Sequence, residues 1–388
     1  MTVLDAELQQ LARSVRQQAW RSLAGRAAEL DRAQRFDPQV WTAVGALGIV
    51  PLSFGVDEGG SGGSALALAV ALEQVAYACA TAALYPGTTI QVARALLDHG
   101  APSVRDRWVP KLLAGDAVAA WAFTEPQTGS DPKQLLTRAE RDGDGWVLLG
   151  EKAFISYAGV AEVALVFAVT GEGAVAAFLA ETAQPGWTPG RPVEVLAYGA
   201  AEARPVHLDG VRVAPDGLVG EVGTGFRVML AGEAVGKLRV AAINVGVAQR
   251  ALDEAAQYAA QRTHRGTAIG EKFPTVQALL ADMRTAVLGA RAALYDTAER
   301  MAAGTAGLAG RVAALRLLTA RAATEVTSAA LQVCGAYGLT RELPVERLYR
   351  EAKFYEVAQG SLELQRVIAG RAVLDELADG RFEQWKDL

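Results

Sequence analysis

The chain has 388 residues, a net charge of −5, 51% apolar residues and 21% charged residues. That balance excludes disorder over most of the length and provides no global positive field for nucleic acid. Two cysteines (Cys79, Cys334) and three widely separated histidines (His99, His207, His264) exclude a disulfide scaffold and a four-cysteine zinc site, and no metal is expected.

The length suits two or three packed subdomains. The first twenty residues are amphipathic, carry acids and lack an apolar h-region, so no secretory signal is read there. Residues 1–118 are Ala/Leu-rich with helical spacing. Ser64 is placed to cap a helix in SALALAVALEQVAYACATAAL, a stretch that is apolar nearly all round and should be buried. The longest charge-free stretch, 74–93, contains Gln74, Pro86, Gly87, Thr88, Thr89 and Gln91, and reads as a buried helix–turn–helix rather than a membrane span. A soluble cytoplasmic protein is the expectation.

Residues 119–222 change character. AVAAWAFT, WVLLGEKAFIS, EVALVFAVT, AVAAFLAE and VHLDGVRV are short β-type runs separated by turns such as RDGDG and TGEG. No helix of crossover length intervenes, which points to an antiparallel sheet or barrel rather than a parallel βαβ sheet. From 223 to 388 long helical stretches return, the last running from about 345 to 377 with a break near Gly360. The expected class is α+β, mostly α: an N-terminal helical domain, a central antiparallel β domain and a C-terminal four-helix bundle.

Nucleotide fingerprints are weak. GEVGTGF (220–226) is glycine-rich but lacks βαβ context and reads as a turn before a helix. There is no P-loop, HExxH or G-x-S-x-G. TEPQTGSD (124–131) is a polar loop whose backbone N–H groups and small hydroxyls suit a flavin edge or a phosphate, and equally an ordinary hairpin loop.

The order of motifs is more specific. TEPQTGSD, GEKAFIS (150–156), RTHRG (262–266), QVCGAYG (332–338), LPVERLYREAK (343–353) and QGSLELQR (359–366) follow one another in sequence. Together they resemble the acyl-CoA dehydrogenase family over essentially the whole chain. The resemblance implies FAD lying between the β domain and the C-terminal bundle, with part of its site supplied by a neighbouring subunit. On that basis Phe123, Thr124 and Ser130 border the flavin. Phe154 stands where a tryptophan usually packs on the ring, and Ser156 where a threonine supplies a hydroxyl. Arg262 matches the arginine on the FAD pyrophosphate, and Gln332 and Gly335 match the motif holding its adenosine side. The resemblance also implies cofactor contacts for Ser361 and Glu363, and substrate contacts for Ser130, Arg239 and Gly360. Two departures touch the flavin site: Arg265 replaces a phenylalanine, and Ala336 replaces the second glycine of a Gly-Gly pair.

The base position departs too. Family members remove a proton from Cα of an acyl thioester with a glutamate while hydride leaves Cβ for the flavin. In REAKFYEVAQGSLELQ that position is Gln359, an amide without useful basicity. A minority place the glutamate before the arginine that is Arg239 here, and the residue there is Leu238. Glu356, three residues before Gln359, reads as a surface or structural acid, and Glu233 lies about 140° round the helix from Leu238. The expected activity is α,β-dehydrogenation of an acyl thioester on CoA or acyl-carrier protein, by a homotetramer or heterotetramer. Electron-transfer flavoprotein or oxygen is the expected acceptor. The alternatives are a base-less partner subunit of a heteromeric dehydrogenase and a flavin-dependent monooxygenase.

Overall fold

The structure, a computed structural model, describes residues 4–129, 134–171, 173–305 and 307–378. Seven helices come first: α1 (Ala6–Leu23), α2 (Ala27–Ala33), α3 (Pro38–Ala46), α4 (Ala65–Ala78), α5 (Ala80–Leu84), α6 (Gly87–His99) and α7 (Pro102–Ala114). Strands β1 (Ala119–Ala122), β2 (Arg138–Asp142), β3 (Gly145–Ile155), β4 (Val163–Thr170), β5 (Val175–Glu181), β6 (Trp187–Pro189), β7 (Arg204–Val213) and β8 (Leu218–Val219) follow. The long helix α8 (Gly225–Gln261) leads to a small ribbon, β9 (Thr263–His264) and β10 (Thr267–Ala268). Helices α9 (Ile269–Lys272), α10 (Pro274–Ala302), α11 (Leu308–Cys334), α12 (Val345–Val357) and α13 (Leu362–Ala378) complete the chain. No helix among the described residues is long and apolar enough to cross a membrane.

Packing groups the chain into two compact units. The first comprises Met1–Arg16, Ser64–Ala78 and Lys237–Leu388. Its centre is α4, buried on almost every side as its composition requires. The Ser64 hydroxyl accepts from the Ala67 N–H at 3.2 Å, so the predicted cap forms. One acid, Glu73, lies inside this apolar helix. Its carboxylate accepts from Arg291 at 2.9 Å and from the Tyr295 hydroxyl at 2.8 Å, which offsets the cost of burying the charge. Helix α8 meets α4 at Gly246, where a Cβ would come within 2.5 Å of the Glu73 carbonyl oxygen and 2.7 Å of the Ala76 Cβ.

The second unit comprises Gln17–Gly63 and Cys79–Gly236 and contains the sheet. Its strand order is β6-β7-β3-β2-β4-β5-β8, with β1 also paired to β4. Most pairings are antiparallel, as the short turns require. Two are parallel: β1 runs along Val163–Val166 of β4, and β2 continues along Val169–Thr170. The parallel link from β1 to β4 passes through a strand hairpin rather than a crossover helix, so the helix-based rule could not signal it. Strands β4 and β5 are buried on both faces. Helix α6 is tied to β1 by the Thr88 hydroxyl, which donates to the Ala119 carbonyl at 2.6 Å, and by the Thr89 hydroxyl, which accepts from the Ala119 N–H at 3.1 Å. The glycines of GEVGTGF form the predicted turn, with Gly220 and Gly223 at positive φ immediately before α8.

The Gly246 contact sets a test of this packing. Gly246→Ala is expected to lower the unfolding free energy by about 1–3 kcal/mol through overpacking. Gly289→Ala, where a Cβ meets nothing within 4 Å, should be neutral or stabilising because alanine is the better helix former. Urea denaturation of the two variants checks both.

Candidate active site

In the sheet unit, Phe123 and Thr124 leave the end of β1 and run beside β3, where the Ala153 N–H donates to the Thr124 carbonyl at 2.8 Å. Two residues flanking that bond form a buried ion pair. The Lys152 ammonium donates to Glu125 Oε1 at 2.8 Å, to the Phe123 carbonyl at 3.2 Å and to the Phe167 carbonyl at 2.6 Å. Those three bonds use its whole donor capacity. The Glu125 carboxylate also accepts from the N–H groups of Thr137 (3.1 Å) and Leu136 (2.6 Å) and from the Gln127 amide (2.7 Å). Burial pushes Lys152 down to about 8 against the pull of Glu125. Burial also raises Glu125, but the charge and hydrogen bond of Lys152, with the Thr137 and Leu136 donors, outweigh it and hold the carboxyl below its ordinary value.

Two residues beyond Lys152 the strand breaks its alternation. The pairing of β3 with β7 shifts between Lys152 and Ile155, and Phe154 takes φ +56°. In a regular strand Phe154 would share the buried face of Lys152. The bulge turns it outward instead, leaving the ring 62% exposed while Lys152 and Ile155 stay buried. An exposed aromatic at positive φ is doubly unfavourable without a ligand. Ser156 follows half-buried. The rings of Trp121 and Phe123 both pack on Phe167, at 5.0 and 5.4 Å between centroids. The buried Trp121 indole N–H has no hydrogen-bond partner among the described residues. Ser130 lies outside the described residues.

In the helical unit, Gln359 and Gly360 form the turn between α12 and α13, with φ values of +60° and +79°. This turn is held from both sides. Arg316, fully buried on α11, donates to the carbonyls of Tyr355 (2.8 Å) and Ala358 (3.1 Å), capping the end of α12. Gln365, fully buried on α13, donates to the Gly360 carbonyl at 3.3 Å, and the Ser361 hydroxyl accepts from the Leu364 N–H at 3.4 Å. Arg239 is buried on α8. Burial raises the Tyr355 hydroxyl to about 12 against the opposing charges of Arg239 and Arg316, so both cations act near the end of α12. Glu363 is exposed and pairs with Arg366 at 2.9 Å. Glu356 is paired with Lys353; burial raises it, yet the hydrogen bond and charge of Lys353 help hold it below its ordinary value.

Arg262 is exposed where α8 meets the β9–β10 ribbon. The departure at Arg265 falls in the turn of that ribbon, where Arg265 and Gly266 both have positive φ, the backbone of a tight hairpin. Gln332 and Gly335 lie exposed at the end of α11, and Gly335 takes φ +60°, ψ −141°, a region only glycine occupies cheaply. Ala336 is not among the positive-φ residues, so that departure carries no backbone strain. Among the described residues no hydrogen bond or ion pair joins Arg262 to Gln332 or Gly335.

The structure thus brings Phe123, Thr124, Phe154 and Ser156 together around one buried ion pair, and Arg239 and Gln359 near the end of one helix. Sequence reasoning missed Glu125, Lys152, Arg316 and Trp121. The available signal was a lysine on the buried face of a strand, opposite in facing to its exposed neighbour Glu151, and a glutamate in a loop with no nearby cation. The strain at Phe154 is testable without any ligand. Phe154→Gly is expected to stabilise the cofactor-free protein by about 1 kcal/mol, the cost of a left-handed non-glycine residue, whereas Phe154→Ala should not. Thermal or urea unfolding compares them.

Comparison with known proteins supplies the family. Models described as acyl-CoA dehydrogenase N-terminal, middle and C-terminal domains match residues 5–116, 120–211 and 223–374. The chain is 32% identical over 375 residues to the probable acyl-CoA dehydrogenase FadE25 of Mycobacterium tuberculosis, covering 96% of each protein. It is 32% identical to the short-chain specific acyl-CoA dehydrogenase of Bos taurus mitochondria, covering 93% of this chain and 89% of that one. Among solved structures, butyryl-CoA dehydrogenase from Megasphaera elsdenii superposes with a TM-score of 0.92 at 28% identity, over 96% of this chain and 100% of that one. The prolyl acyl carrier protein oxidase AnaB superposes at 0.91 with 26% identity, over 96% and 100%. With its three family domains in order and relatives aligned over nearly their whole length, the chain belongs to the acyl-CoA dehydrogenase family.

Proposed function

We propose that this chain binds FAD and oxidises the Cα–Cβ bond of an acyl thioester, and that Gln359 leaves proton removal from Cα slow. The observation that carries this reading is the Gln359–Gly360 turn. It is strained and held from both sides by Arg316 and Gln365, yet it presents an amide where the family keeps its acid. Family membership supports the reaction class, and the likeness to a carrier-protein oxidase supports a substrate on either CoA or a carrier protein.

The residues present fit a flavin. Phe154 offers an aromatic face held outward by a bulge, Thr124 and Ser156 offer hydroxyls, and Trp121 offers a buried donor lacking an acceptor. Arg262, Gln332, Gly335, Ser361 and Glu363 are assigned to the remainder of the cofactor, and Ser130, Arg239 and Gly360 to the thioester. When bound, FAD accepts the hydride leaving Cβ. The chain's own task is to place Cα beside residue 359 and move its proton. Gln359 can donate or accept a hydrogen bond there but cannot take up the proton at neutral pH. Glu356 is engaged by Lys353 and is not assigned the part. The protein is assigned to the cytoplasm, to a homo- or heterotetramer, and to electron-transferring flavoprotein as acceptor. A structural neighbour at 27% identity comes from work on the electron transferring flavoprotein of Acidaminococcus fermentans.

A second reading follows from the same amide. With Leu238 at the family's other base position, the chain could serve as the base-less subunit of a heteromeric enzyme. Gln359→Glu separates the two. The change replaces an amide by a carboxylate of the same shape, and general-base catalysis is worth about 10²–10⁴ in rate. Anaerobic bleaching of the bound flavin by a panel of short, medium, branched and steroid-like acyl-CoAs should accelerate by that factor. A glutamate variant that holds FAD yet stays oxidised with every thioester would contradict dehydrogenation. A variant that holds no FAD on its own would support the partner-subunit reading.

A further inference from the structure

The Lys152–Glu125 pair belongs to no role assigned so far. Both side chains are fully buried, and every donor of the ammonium is used on this one corner of the sheet unit. The ammonium ties together three separate stretches: β3, which carries it, the Phe123–Glu125 segment and β4 (Phe167). The carboxylate gathers a fourth by accepting from the N–H groups of Leu136 and Thr137. Between the two charges lies the Ala153-to-Thr124 backbone bond, and next along β3 comes the bulge that displays Phe154.

We propose that Lys152 and Glu125 are positioning residues that fix the Phe123–Thr124 backbone and the Phe154 bulge in the geometry that receives the flavin ring, before any flavin arrives. This rests on the FAD reading above. A hydrophobic pair of similar volume would fill the same space and avoid the cost of burying two charges, which offsets much of what their attraction returns. It could not hold the Phe123 and Phe167 carbonyls or the Leu136 and Thr137 N–H groups, which would then lack partners. The pair is accordingly a device for orientation. Lysine suits it because a compact ammonium can address three acceptors in three directions, which the planar guanidinium of arginine cannot. The arrangement is complete using the chain's own atoms alone, so it is present in the cofactor-free protein.

The test uses the full-length protein prepared with and without FAD, and three variants: Glu125→Gln, Lys152→Met, and the double variant Glu125→Leu with Lys152→Met. Glu125→Gln keeps the shape while removing the charge and turning one acceptor oxygen into a donor, so it carries the test if Lys152→Met fails to fold. Three quantities are read: FAD dissociation constant, amide hydrogen exchange at Leu136, Thr137 and Ala153 in the cofactor-free protein, and unfolding free energy. The single variants are expected to bind FAD about tenfold to a hundredfold more weakly, the span of a charge-assisted hydrogen bond, and to exchange those amides faster. The double variant should recover part of the unfolding stability lost by the single variants, because no unpaired charge stays buried, without recovering FAD affinity. That split separates orientation from support of the fold. Folded single variants with wild-type FAD affinity would overturn the proposal, as would a double variant that regains both stability and affinity. If the wild type itself takes up no FAD, the FAD reading fails; the exchange rates of the cofactor-free variants still decide whether the pair holds the Thr124, Leu136 and Thr137 backbone in place.

Discussion

A charge buried out of reach of water must be answered from every side, and the sheet unit of this protein is organised around one such demand. The Lys152 ammonium has three donors, and meeting them draws the end of β1, the middle of β3 and the interior of β4 to one point. The polar loop that follows Thr124 then hangs from the Glu125 carboxylate, and the bulge at Phe154 begins two residues away. The helical unit repeats the principle with a different cation. Arg316, with no exposed surface, takes the last carbonyls of α12 and so determines where the Gln359 turn begins. Each of the two residues most tied to the proposed chemistry, Phe154 and Gln359, adopts a left-handed conformation close to one of these anchors. Strain of that kind persists only where the surroundings over-determine it.

Much of this organisation was legible in the sequence. The α4 helix announced itself by being apolar on all sides, and the five short strand runs by their turns. The Ser64 cap and the break at Gly360 fell where residue type required them. The parallel pairing of β1 and β2 with β4 was not legible, because the usual sign of a parallel link is a helix and this link is a hairpin. The motif residues Phe123, Thr124, Phe154 and Ser156 could be assigned from resemblance, but the reason for their geometry could not. Lys152 and Glu125 are 27 residues apart, and nothing local shows that these two charges meet inside a core. Arg316 and the carbonyls it holds are about forty residues apart, and one partner is backbone, which leaves no trace in side-chain pattern.

The anomaly at residue 359 gains meaning from this context. A site that had lost its function by drift would be free to relax, yet the turn keeps its positive φ at a non-glycine residue, its arginine cap and its buried glutamine. On the proposed reading, the scaffold for proton abstraction lacks one functional group. This separates the architecture of the reaction, which the fold supplies, from its acid–base chemistry, which a single atom decides.

The central claim is that the chain is itself a flavoprotein able to accept hydride from an acyl thioester, however slowly. The most direct measurement is the visible absorption spectrum of the purified protein, with FAD quantified per chain, followed by anaerobic addition of acyl-CoA to the unaltered sequence. The account predicts a yellow protein with close to one FAD per chain that bleaches slowly with at least one thioester. A colourless protein that takes up no added FAD would contradict it, and so would bound flavin that acyl-CoA never reduces while an external reductase does.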